Sequence, residues 1–379
     1  MNSKSKEVIL LVPRYHTNLE PIAHGFIEIG FRVHVYPWRS SIAEIRNVNN
    51  QLTIEDKMIT RVLRLGQRNL SMYRFINMWK TLNDFKENSE SFKIFVRCET
   101  SFFGIVSLCL VLVSKSRKFT TIYTQYPIVN PKLHQSIWIF LIKKVFKFKY
   151  FSQVFVKPDK SLTRFKDLKS YTSWLKSELS MNNEFIPFAL PYISKIDKSK
   201  TRKIVSVGKS EKRKGLIELV EACRELWIEE KLYLTLDLIL QVTKEEHETY
   251  LNKLLEIAFD LVSEGQITIY RNLSALETRV KISTADVLIL NSYDEPASFV
   301  QYEALALRVP FIINRSNGSS YLLPDGLGIR KINSKESLKL GILEMVGHLN
   351  INIEQINEVH SVLSVNLNGV EVANRWLKA

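Results

Sequence analysis

Cysteine is scarce: the 379 residues hold only Cys98, Cys109 and Cys223, with no CxxC pair. An odd, scattered set of three argues against a disulfide framework and against thiolate metal motifs, and it suits structural thiols in a reducing compartment. Long apolar runs are missing as well. The longest, IVSLCLVLV and IWIFLI, fall well short of the ~20 residues a membrane-spanning helix needs. The first apolar run, VILLV before Pro13, is too short for the core of a secretion signal and reads as a buried strand. A cytoplasmic location is the expectation. Acids are absent from residues 101–150, which carry eight Lys and Arg.

What is present has ordinary globular proportions, 45% apolar and 24% charged residues, in a chain long enough for two cores, since single cores stop growing near about 250–300 residues. The net charge of +14 is unevenly placed. Residues 1–200 hold 32 Lys and Arg against 15 Asp and Glu, a surplus of +17, whereas residues 201–379 hold 21 against 24, or −3. Within the basic half, IWIFLIKKVFKFKYF (137–151) interleaves lysines with aromatics, and Arg61, Arg64 and Arg68 share one helical face. Such segments fit an anionic bilayer surface, where each cation contributes about 1 kcal/mol; a core helix with solvated lysines is the equal alternative. No RNP segment or zinc-finger spacing accompanies the charge, so no nucleic-acid partner is expected.

Short β-rich runs alternate with helical patterns throughout. VILLVP, FRVHVYP, FKIFVRC and FTTIYTQYP mark strands in the first half; KIVSVG, LYLTLDLIL, QITIY, ADVLILNS and PFIINR mark them in the second. Continuous apolar strands separated by helices predict parallel sheets covered on both faces. The fold class is therefore α/β, with two Rossmann-like doubly wound domains, residues 1–190 and 200–364. The boundary falls near PFALPYISKIDKSKTRK, where Pro187 and Pro191 precede a lysine-rich connection. Ligands of such sheets bind beyond the carboxyl ends of strands, which makes a cleft between the domains the expected site.

Two strand ends carry chemistry. After KIVSVG come Gly208, Lys209 and Ser210, a fragment of a phosphate loop, but that motif needs a glycine at 203, where Lys stands. The remaining reading is that Lys209 and Lys214 converge as point charges on a diphosphate, against the alternative of a solvated basic loop. After ADVLILNS, Ser298 and Gln301 have S-x-x-Q spacing, which predicts a capping box and a helix starting near Phe299. The amides of Phe299 and Val300 would then be donors at a positive dipole end, suited to phosphate. Glu303 lies just over one turn in and Glu295 precedes the cap. Two carboxylates beside a phosphate make electrostatic sense when they face hydroxyls; solvated or capping acids are the simpler alternative.

Together the loops resemble glycosyltransferase family 4. GKSEKRKG is similar to its G-R-x(4)-K-G loop, with Lys209 in place of arginine, and EPASFVQYEA to its E-G-F-G-x(4)-E-A segment, with Glu295 and Glu303 in the acidic places. The resemblance spans residues 200–330. It implies a GT-B architecture, with the nucleotide-sugar donor in the carboxyl-terminal domain, the acceptor in the amino-terminal one, and the last helix, about 365–379, joined to the latter. It implies retention of anomeric configuration without a metal. Lys209 and Lys214 would neutralise the leaving diphosphate beside Gly208, Ser298, Phe299 and Val300, Glu303 would bind the ribose hydroxyls, and Glu295 would hold the sugar. Consistent with a metal-free site, none of the ten aspartates lies two residues from another, so the D-x-D pair of cation-using sugar transferases is missing.

The pattern is departed from at Pro296, Ala297 and Ser298, which replace G-F-G, and at PRYHTNLEP, which lacks glycine. TIYTQYP offers Tyr123, Gln125 and Tyr126 where many members carry a histidine; His16 and His134 are acceptor-side candidates. The expectation is a retaining transferase using a UDP- or GDP-sugar, with no other cofactor, acting on a lipid-linked saccharide of a surface polysaccharide at the inner membrane face. The rivals are a noncatalytic GT-B subunit that binds a partner enzyme or glycan, and a nucleotide-sugar epimerase.

Overall fold

The computed structural model describes residues 6–12, 18–37, 152–155, parts of 79–124 and 170–191, and residues 202–378 apart from 294, 296, 297, 318, 319, 321 and 322. Arg61, Arg64, Arg68, the stretch 137–151, His16, His134, Gln125, Tyr126, Pro187, Pro296 and Ala297 lie outside the described residues. The chain forms two compact units, Met1–Ala189 with Leu367–Ala379, and Leu190–Asn366.

The first unit is a parallel sheet of six strands, β1 (Lys6–Val12), β2 (Phe31–Pro37), β3 (Ser91–Arg97), β4 (Thr120–Thr124), β5 (Ser152–Phe155) and β6 (Asn182–Phe185), in the order β2-β1-β3-β4-β5-β6. β1 is apolar from Val8 to Val12 and buried along that length, as a strand covered on both faces must be. Helices α1 (Glu20–Glu28) and α2 (Phe102–Val113) belong to this unit. So does the helix Gly369–Lys378, whose Trp376 is fully buried, with its ring 5.0 Å from Phe95 and 4.9 Å from Tyr123. That helix lies against α1 at a glycine contact: a Cβ on Gly25 would stand 1.9 Å from the Gly369 carbonyl oxygen.

The second unit is more regular. Strands β7 (Lys203–Lys209), β8 (Thr235–Gln241), β9 (Ile267–Arg271), β10 (Val287–Leu290), β11 (Phe311–Asn314) and β12 (Ile329–Ile332) run parallel in the order β12-β11-β10-β7-β8-β9. Chain order proceeds from β7 outward through β8 and β9, then returns to β10 on the other side of β7. β7 and β10 are therefore neighbours at the point where strand order reverses, the place at which open α/β sheets bind ligands. Between the strands lie α3 (Leu216–Glu229), α4 (Glu245–Ile257), α5 (Phe259–Ser263), α6 (Ala275–Ser283) and α7 (Phe299–Ala306). α8 (Lys335–Gly347) and α9 (Leu349–Asn366) follow β12, and the returning helix described above is α10.

The core of this unit is built by apolar stripes such as Leu216, Leu219, Val220, Cys223 and Leu226 of α3 against Leu236, Leu238 and Leu240 of β8. No helix among the described residues is long and apolar enough to cross a membrane.

Candidate active site

The two chemistry-bearing loops leave the carboxyl ends of β7 and β10, and the sequence folds them onto each other. After β7, Lys212–Lys214 makes a single 3-10 turn, and Gly215 caps it in the left-handed region at φ +60°. Gly215 is required twice over, since a Cβ there would also stand 2.5 Å from the Asn291 side-chain nitrogen. Asn291, the first residue after β10, is buried and donates from Nδ2 to the Gly215 carbonyl at 3.1 Å. Two residues on, the Tyr293 amide donates to the Arg213 carbonyl at 2.7 Å. These bonds fix one loop against the other before any charged side chain is considered.

The charges then meet. Lys214 Nζ and Arg213 Nη1 each approach Glu295 Oε2 to 2.6 Å, and Arg213 Nη2 reaches Glu211 at 2.6 Å. Lys214 and Glu295 are largely buried, with side chains 11% and 12% exposed. The Lys214 methylenes lie over Gly208, where a Cβ would approach them to 3.3 Å, so the small residue at 208 makes room for that lysine. Burial pushes the Lys214 ammonium below its ordinary pKa, with Glu295 opposing the shift. Burial alone would raise the Glu295 carboxyl, but Lys214 and Arg213 outweigh it and hold it below the usual carboxylate range.

Lys209, at the end of β7, is exposed and makes no ion pair among the described residues. The cation beside Lys214 is Arg213.

The helix after the second loop begins at Phe299, as the spacing predicts, but no capping box forms. Ser298 has the extended N-cap backbone without accepting a side-chain cap bond, and Gln301 is buried, 1% exposed, with both amide atoms lacking a hydrogen-bond partner. Gln301 is turned into the protein rather than back toward the cap. Val300 and Phe299 supply the first-turn amides that helix geometry leaves without intrahelical acceptors. Glu303 is buried within α7, where its Oε1 accepts from Arg279 Nε of α6 at 2.9 Å. Burial raises the Glu303 carboxyl, and Arg279 opposes that.

The structure thus joins Glu295 with Lys214 and places Gly208 beneath them. Glu303 is held from a different element. Arg213, Asn291 and Arg279 were not foreseen. A signal existed for Arg279, which shares a buried helical stripe with Ile282 and Ser283, an unusual place for an arginine.

A doubly wound sheet in each unit, with a clamped pair of loops at the reversal of the second sheet, is the α/β organisation of the GT-B fold. Residues 192–346 match the family described as "Glycosyl transferases group 1". None of the curated proteins matches the sequence.

Among solved structures, a glycosyltransferase from Rickettsia africae ESF-5 is similar with a TM-score of 0.67 at 12% identity, over 99% of this chain and 97% of that one. Anabaena HepE in complex with UDP and glucose is similar with a TM-score of 0.67 at 9% identity, over 98% of each chain. A sucrose-phosphate synthase from Thermosynechococcus elongatus follows the same fold with a TM-score of 0.64 at 11% identity, over 98% of each chain. At such identities the likeness is one of fold.

Proposed function

We propose that the chain is a metal-independent, retaining glycosyltransferase that moves a sugar from a UDP- or GDP-sugar to a lipid-linked saccharide acceptor in surface polysaccharide synthesis. The observation that carries the reading is the meeting of Lys214 and Glu295 at 2.6 Å across two loops from adjacent strands at the sheet's reversal point. Two further features support a ligand there. Ser210 Oγ, in the loop after β7, and the Gln301 amide, in the first turn of α7, are buried polar groups without hydrogen-bond partners, and such orphans in native folds often face a bound molecule. UDP is the first base to test, since HepE was solved with it.

In this reading Lys214 and Arg213, with the first-turn amides of α7, face the diphosphate. Breaking the bond from sugar to phosphate builds positive charge on the sugar and negative charge on the diphosphate, so cations already in place favour the transition state over the ground state. Glu295 keeps the two cations gathered. A diphosphate competes with it for them, and the carboxylate is then close to the sugar hydroxyls. Lys209, exposed at the strand end, reaches the same diphosphate from the other side. The acceptor belongs to the basic first unit, with an anionic membrane as its surface.

The test is direct. A panel of nucleotide-sugars is screened for thermal stabilisation, then Glu295→Ala and Lys214→Ala are assayed for transfer with the donor found. Both variants should stay folded and lose nearly all transfer; wild-type turnover in either removes the assignment. The noncatalytic rival is favoured by the substitutions at Pro296, Ala297 and Ser298, and it is excluded once UDP or GDP binds and sugar is transferred.

A further inference from the structure

We infer that Arg279 positions Glu303 for the ribose of the donor nucleotide, so that recognition of a ribonucleotide depends on a residue outside both loops. The inference rests on the reading of residues 295–303 as the donor segment.

Arg279 sits on α6, whose start is fixed by a complete capping box between Ser274 and Glu277. Its Nε donates to Glu303 Oε1 at 2.9 Å, with both side chains nearly buried, 9% and 8% exposed. A buried ion pair of this kind adds little stability compared with apolar residues of the same volume, so packing alone does not account for a guanidinium here. What the pair does provide is direction. A guanidinium bound to one oxygen holds the carboxylate in one rotamer, and among the described residues Arg279 is the one hydrogen-bond donor to Glu303. An ionised carboxylate has about four lone-pair positions. Arg279 takes one, and Oε2 keeps those that two neighbouring ribose hydroxyls need.

Burial also drives Glu303 toward its neutral form, and Arg279 counters that. Without the guanidinium, the acid would protonate more readily and one accepting oxygen would become a donor.

The experiment compares UDP and GDP with their 2′-deoxy and 3′-deoxy forms by calorimetric titration of the wild-type protein, Arg279→Met and Arg279→Gln. Wild type should prefer the ribonucleotide by roughly ten- to hundredfold, the range of a hydrogen bond to a charged group. Arg279→Met should lose most of that preference while its affinity for the deoxy forms changes little. Arg279→Gln, which keeps an amide donor for Glu303, should retain part of the preference, and it supplies the reading if Arg279→Met does not fold. A preference kept in full by the folded variants overturns the inference, as does an equal loss for ribo and deoxy forms, which marks a structural role only. A wild-type protein that binds no nucleoside diphosphate overturns the transferase reading itself.

Discussion

Glu295 lies in a loop between two cations from another loop, whereas Glu303, eight residues on, lies inside α7 against a single arginine from α6. The first acid shares its oxygen with Lys214 and Arg213, and Arg213 is in turn shared with Glu211. Such a cluster can exchange partners, since no charge is stranded when one contact is lost. The second pair is buried, with side chains 9% and 8% exposed, so losing either member leaves a charge away from water without that counter-charge. The contrast separates a group suited to engage a changing ligand from one suited to hold a fixed direction.

The two acids should differ most in what the loss of their cations costs, and Arg279 shows it first. Arg279→Met should destabilise the protein by about 3–5 kcal/mol, a fall in melting temperature of roughly 10 °C, while the double change Arg279→Leu with Glu303→Leu should recover most of it. Calorimetry of the two proteins decides this, and a mild Arg279→Met would contradict the description of that pair. Lys214→Ala should lower turnover by about 10²–10³-fold with little change in melting temperature, because Glu295 keeps Arg213.

Acid sharpens the difference further. Glu295 is held below the ordinary carboxylate range by Lys214 and Arg213, against burial. Its stabilising contribution is therefore full above the unfolded value of about 4.3 and is lost as pH falls through its depressed folded value. Urea midpoints measured from neutral pH downward should show this loss in wild type and not in Glu295→Gln. The smallest effect concerns caps. Ser274→Ala should cost about 1 kcal/mol, and Ser298→Ala should cost much less, since Ser274 accepts a cap bond and Ser298 does not.

The parts of the molecule legible in the sequence are those where a single local rule operates. β7 and β10 are continuous apolar runs, and the loops after them carry charges in fixed spacing, so the strands and the charged loops are legible in the chain, whereas the direct bond between Lys214 and Glu295 is not. β5, β6 and β12 went unread: SQVF, NNEF and IRKI are four residues each and partly polar. β6 and β12 are also edge strands with one neighbour, which relaxes the demand for apolar faces.

The capping box failed at Gln301 because tertiary burial took the side chain that the local motif claims. A true box at Ser274 and Glu277 passed unnoticed, although S-x-x-E was there to see. Arg213 was overshadowed by the lysine next to it, and the Arg279–Glu303 bond joins two helices whose proximity no linear spacing reveals.

Helix α10 places its tryptophan in the aromatic stack of the first sheet, yet it follows every residue of 190–366 in the chain. During synthesis the first unit cannot be completed until the second has been made, and the place of Trp376 against Phe95 and Tyr123 is filled last. Order of emergence and order of completion are thus reversed.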